Sequence, residues 1–149
     1  MKIAGVAPLI AIPTFLYLGL AILVNSSAGG RFTITEQGYS ILLAAGVVMI
    51  VTGVLMVASC GRKLLKSFNS GKLMTDGLYK IFRNPMYAAY MLFVVPGICL
   101  LFNSWLVLTT VIINSLLFFI FIRREHRYLQ EKFGKEYEEY LQKVLIKFL

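Results

Sequence analysis

The chain has 149 residues, 58% of them hydrophobic and 15% charged, with a net charge of +8 and a mean hydropathy of +0.77. A globular surface needs about a quarter of its residues charged, so this composition excludes a soluble enzyme, a disordered tail and a secreted disulfide scaffold. The length suits one domain, and the apolar runs hold almost no charge, which reads as an all-α, polytopic membrane protein with basic loops.

Ile3 to Val24 is apolar apart from Thr14, Gly38 to Gly61 carries no charge, and Asn84 to Ile122 is uncharged for 39 residues. A helix crosses a bilayer with about 20 residues, about 17 to 25 being workable, so the third stretch is two short spans. Its most turn-like point is Phe102-Asn103-Ser104. The expectation is one domain with four transmembrane helices near 4–24, 39–59, 85–101 and 105–122, the last two forming a tight hairpin. Lys2 and the small residues after Val24 have the look of a signal peptide. The first run is longer than the about 7–15 apolar residues of such a segment, which predicts an uncleaved helix. Asn25-Ser26-Ser27 matches a glycosylation sequon, a pattern common by chance. Cys60 and Cys99 fall at or inside helices, where a thiol is a small apolar filler, and nothing reads as a disulfide or a metal site.

The loop 62–84 holds Arg62, Lys63, Lys66, Lys72, Lys80 and Arg83, and the tail 123–149 holds seven more cations. Lys2 precedes the first helix and Arg31 stands alone in the first loop. Four spans put 14 of the 15 cations on one side, which the positive-inside rule makes cytoplasmic, with both termini there. The charge is then orientation and contact with anionic headgroups rather than nucleic acid binding. All seven acids lie outside the spans. That disfavours an ion-coupled transport module, which buries an ionisable group in the membrane.

Two junctions of loop and helix carry the polar residues of interest. In the first, Asp76-Gly77 is a turn signal and Pro85 suits the first position of a helix. Arg83 then stands beside free backbone N–H groups and a partial positive charge, a recipe for holding a carboxylate or phosphate. Equally, Arg83 snorkels to lipid phosphates while Pro85 merely starts a helix. In the second, Glu125 and His126 stand where the fourth helix emerges, either as site residues or as an arginine partner and an interfacial imidazole. Beyond them Phe133, Tyr137, Tyr140 and Val144 recur at helical spacing, predicting an amphipathic C-terminal helix.

Together the two junctions resemble the isoprenylcysteine carboxyl methyltransferase and phospholipid methyltransferase family of integral-membrane enzymes. The pattern is Gly77, Tyr79, Arg83, Pro85 and Tyr87, a helical hairpin, then Glu125, Leu129, Phe133, Gly134, Tyr137 and Tyr140. The resemblance runs from Lys72 to about Val144. It implies an enzyme that binds S-adenosylmethionine on the cytoplasmic side, with Gly77, Tyr79, Arg83, Asn84, Pro85, Tyr87 and Glu125 at the cofactor and no metal. Two positions depart from the family pattern: Asn84 stands for its usual His, and His126 for its second Glu.

The implied chemistry is attack by a nucleophile on a sulfonium methyl group, in which the protein supplies alignment and excludes water. Glu125 and His126 are the candidate catalytic residues. A carboxylate acceptor needs no base, whereas an amine must lose a proton that His126 could take. The acceptor implied is lipid-borne or small and hydrophobic, most like an isoprenylcysteine. The alternatives are an ethanolamine phospholipid as acceptor, or a non-catalytic membrane scaffold that retains the motif.

Overall fold

The computed structural model describes residues 5–70 and 73–148. Lys2 and Lys72, counted above among the cations, lie outside the described residues. Among those described, every regular element is helical: α1 (Ala7–Ser27), α2 (Tyr39–Ser70), α3 (Pro85–Leu101), α4 (Trp105–Phe133) and α5 (Lys135–Lys143). A single 3-10 turn, Gly77–Lys80, precedes α3. Three of the helices, α1, α2 over Tyr39–Arg62 and α4, are long and apolar enough to cross a membrane, and α3 is a shorter apolar helix. The chain is an integral membrane protein.

Two helices run further than the apolar patterning predicts. The α2 backbone stays helical to Ser70, past the expected end near residue 59, because Gly61 is followed by strong helix formers with no proline. The α4 helix leaves the apolar stretch at Arg123 and continues to Phe133. Gly134, with φ 50°, then turns the chain into α5; a left-handed φ costs glycine little.

Within α3 the backbone widens to a π turn over Tyr90–Val94. Pro96, two residues past its end, lacks an N–H and clashes with the carbonyl four residues back, which accounts for the widening. The α3–α4 hairpin turns at the expected point. Asn103 is left-handed at φ 46°, and Ser104 accepts at Oγ from the Val107 N–H at 3.4 Å, capping α4. The Asn103 side chain also clamps the first loop, donating to Thr35 O at 2.6 Å and accepting from Thr35 N at 3.2 Å.

In the bundle α2 packs on α3, and α1 packs along α4. A Cβ on Gly46 would meet Gly97 O at 2.8 Å, and one on Gly97 would meet Gly46 O at 2.9 Å. These two helices therefore touch backbone to backbone, the close approach that small residues permit within a bilayer. Two apolar clusters fill the space between α1, α3 and α4. One is centred on Ile10, Met91 and Phe118, the other on Leu18, Val95 and Val107. Polar side chains add to the α1–α4 contact: Thr14 donates to Asn114 Oδ1 at 3.3 Å, and Tyr17 and Thr109 share a hydrogen bond of 2.8 Å.

Candidate functional site

The start of α3 and the part of α4 beyond its apolar stretch lie side by side. Asn84 precedes Pro85 at the N-cap position, yet its side chain does not cap the helix. It reaches α4 instead, where its Nδ2 lies 3.2 Å from His126 Nε2. One turn further along α3, the Tyr87 hydroxyl donates to Glu125 Oε2 at 2.7 Å, and the Val6 N–H approaches the same oxygen at 3.4 Å. Two consecutive residues of α4 thus bond two residues of α3 that stand three apart, the separation of neighbours on one helix face.

Arg83 is held by the C-terminal segment. Its Nε and one terminal nitrogen donate to the Tyr137 hydroxyl at 3.0 and 2.8 Å, and the other terminal nitrogen donates to Lys147 O at 3.1 Å. The backbone completes the arrangement: Arg83 N–H donates to Ile146 O at 3.0 Å, and Ile146 N–H to Ile81 O at 2.8 Å. Residues 144–147 therefore lie as a strap along residues 80–83. Tyr140 secures the same segment, donating to Tyr79 O at 2.8 Å. Among the described residues no carboxylate pairs with Arg83, and no lysine or arginine pairs with Glu125.

The electrostatics follow from burial. His126 is pushed down to about 4 by burial and by the neighbouring Arg83 charge, so it is neutral at pH 7. With Asn84 donating through Nδ2, the imidazole accepts at Nε2 and carries its proton on Nδ1. Burial raises the Tyr79 and Tyr137 hydroxyls, and the Glu125 charge adds to both shifts. The tyrosine that bonds Glu125 directly is Tyr87, at 2.7 Å.

The expected residues divide into two groups. Asn84, Tyr87, Glu125 and His126 come together through direct bonds, with Pro85 starting the helix between them and Arg83 at their edge. Gly77 and Tyr79 do not join that contact. Gly77, at φ 67°, opens the 3-10 turn, and Tyr79 packs with Tyr137, Tyr140 and Val144. A cleft of about 480 Å³ lies alongside, between that turn and α5, lined by Thr75, Asp76, Lys80, Glu136, Glu139 and Tyr140 among others. None of the expected site residues lines it. Sequence reasoning missed the Tyr137 hydroxyl as a partner of Arg83, having placed Tyr137 in a packing stripe. It also missed the Val6 N–H and the strap, since backbone groups leave no mark in residue types.

Residues 37–136, more than half of the chain, match the family model of phospholipid methyltransferases. The chain belongs to that family. Among curated relatives, the probable protein-S-isoprenylcysteine O-methyltransferases of Oryza sativa subsp. indica and subsp. japonica are each 33% identical over 111 aligned residues. The alignments cover 66% of this chain and 56% of each relative. Protein-S-isoprenylcysteine O-methyltransferase B of Arabidopsis thaliana is 28% identical over 108 residues, covering 66% of this chain and 55% of the relative. The chain spans a little over half the length of these relatives. No solved structure matches. The family match contains both the Asn84–His126 and the Tyr87–Glu125 contacts, while α1, Tyr137 and the strap lie outside it.

Proposed function

We propose that the protein is an S-adenosylmethionine-dependent integral-membrane methyltransferase acting on a lipid-borne or small hydrophobic acceptor, most like an isoprenylcysteine carboxylate. The observation that carries this reading is the meeting of the two halves of the family pattern at one place, through Asn84–His126 and Tyr87–Glu125. The names of the curated relatives favour a carboxylate acceptor, and the family match keeps an ethanolamine phospholipid as the second reading.

The residues present fit the cofactor. Its amino-acid end carries a carboxylate and an ammonium, and this corner offers a guanidinium without a paired acid and a carboxylate without a paired cation. In this reading Arg83 holds the cofactor carboxylate, and Glu125 accepts from the ammonium or a ribose hydroxyl. Asn84, Pro85 and Tyr87 shape the contact, with Gly77 and Tyr79 supporting it. S-adenosylmethionine supplies a methyl group already activated on a sulfonium, so the chain's own part is alignment and exclusion of water. A neutral His126 whose Nε2 already accepts from Asn84 is poorly placed to deprotonate an ammonium. Its Nδ1–H can instead donate to a carboxylate acceptor, which needs no base. This favours the carboxylate reading.

The reading carries a topology. A single unit crosses the membrane four times, with α3 as a short third span of about 26 Å at 1.5 Å per residue. The segment 62–84, the tail and both termini lie on the cytoplasmic side. The α5 helix is amphipathic, turning Tyr137 and Tyr140 inward and Glu136, Glu138 and Glu139 outward. Membrane lipids are the surroundings and the acceptor arrives laterally. Titration calorimetry with S-adenosylhomocysteine in detergent, followed by labelled methyl transfer to a farnesylcysteine analogue or to phosphatidylethanolamine, tests the reading. Absence of S-adenosylhomocysteine binding to the folded protein would leave the scaffold alternative.

A further inference from the structure

A second polar cluster lies within the membrane part of the bundle. Thr14 of α1, Tyr90 of α3 and Thr110 and Asn114 of α4 lie within the apolar parts of their helices. Thr14, Thr110 and Asn114 are fully buried at 0% exposure. Thr14 donates to Ile10 O at 2.7 Å and also approaches Asn114 Oδ1 at 3.3 Å. Asn114 Nδ2, Tyr90 Oη and Thr110 Oγ1 are buried without a hydrogen-bond partner. Tyr90 lies beside Thr14 without closing a bond to it. Thr110 and Asn114, four residues apart, share one face of α4.

Such groups are costly in hydrocarbon, where water cannot satisfy them as it does at a surface. The imbalance has a sign. Asn114 Nδ2 has two N–H donors and no lone pair to accept with, and the Tyr90 and Thr110 hydroxyls can each donate one O–H. A guest that satisfies the Asn114 amide must therefore accept hydrogen bonds. Tyr90 also opens the π turn of α3, the one place where that backbone departs from α-helical pairing among the described residues. Segments of this kind recur at functional positions.

We propose that Tyr90, Asn114 and Thr110 form an internal binding site for a hydrogen-bond-accepting oxygen, supplied by an enclosed water or by the carbonyl of a membrane-dissolved molecule. The site is separate from the Asn84–His126 corner, from which the apolar layer of Ile10, Met91, Phe118 and Ile122 divides it. It therefore stands or falls independently of the methyltransferase reading.

Thermal unfolding of the full chain in detergent tests it. Tyr90→Phe removes only the hydroxyl and Asn114→Leu replaces the amide by an apolar group of similar size. A bound oxygen predicts that each variant lowers Tm by a few degrees and that the double variant loses less than the sum, since the guest is already lost. Thr110→Val, nearly isosteric, gives the same reading if Asn114→Leu fails to fold. A Tm unchanged or raised in Tyr90→Phe overturns the proposal, because deleting an orphaned hydroxyl with no guest costs nothing. Adding a long-chain methyl ketone, with the matching alkane as control, separates the sources. A rise with the ketone alone, absent in Tyr90→Phe, assigns a lipid carbonyl. No rise, with Tyr90→Phe still destabilised, assigns an enclosed water.

Discussion

Asn84 Nδ2 lies 3.2 Å from His126 Nε2, so the two positions read from the sequence as departures from the resembled pattern touch each other. Asn84 and His126 therefore form one contact, and a substitution at either is expected to be felt at the other.

Coupling of this kind is measurable. Asn84→His and His126→Glu should each reduce S-adenosylhomocysteine binding, and the double variant should recover part of the loss. Contacting residues typically show interaction energies of about 0.5–3 kcal/mol in such cycles. Strictly additive losses would separate the two positions.

Arg83→Ala should weaken S-adenosylhomocysteine binding by on the order of 10- to 100-fold, because a charge-assisted hydrogen bond is worth about 1.5–3 kcal/mol. Arg83 also bonds Tyr137 and Lys147 O, so its loss disturbs the strap. Tyr137→Phe removes only the hydroxyl partner and separates the roles: it should lower Tm while leaving affinity within a few-fold. Glu125→Gln, which keeps shape and loses charge, should lower affinity without lowering Tm. Unchanged affinity in both Arg83→Ala and Glu125→Gln would remove this corner from the cofactor site.

The pH behaviour turns on His126, whose folded pKa of about 4 lies below its ordinary 6.5. Between these values the unfolded chain takes up a proton that the folded chain refuses, so stability falls as pH drops through that window. Above 6.5 the group makes no difference. Tm followed from pH 7 down to pH 5 should fall more steeply in the wild type than in His126→Gln. Turnover on a carboxylate acceptor should be flat across neutral pH. A rising limb near 6.5 that vanishes in the variant would restore His126 as a base for an amine.

At the α2–α3 contact, Gly97→Val should destabilise severely, since even a Cβ there meets Ile50 Cγ1 at 2.8 Å and Gly46 O at 2.9 Å. Gly19→Ala, where nothing lies within 4 Å, serves as the control and should leave Tm unchanged or slightly raised. Equal Tm values for the two variants would refute the backbone contact.

Topology is open to a direct test. Compartment reporters fused at the end of the chain and within the 26–35 loop should report opposite sides, the former cytoplasmic. Two reporters on one side would exclude four spans.

Residue types alone determined the membrane class, the hairpin point at Phe102-Asn103-Ser104, the helix start at Pro85 and the positions to watch at Arg83, Glu125 and His126. These follow from local causes: apolar run length, a proline without an N–H, a turn-forming Asn, and motif spacing. The pairings are of another kind. That Asn84 leaves its own helix end for His126, that Tyr137 receives Arg83, and that residues 144–147 lie along 80–83 depend on parts of the chain 42 to 65 residues apart. Such contacts arise only when packing of α3 against α4, and the turn at Gly134, bring those helix ends together. The backbone approach of Gly46 to Gly97 belongs with them. Sequence shows two glycines, and only the packed bundle shows that each leaves room for the other's carbonyl.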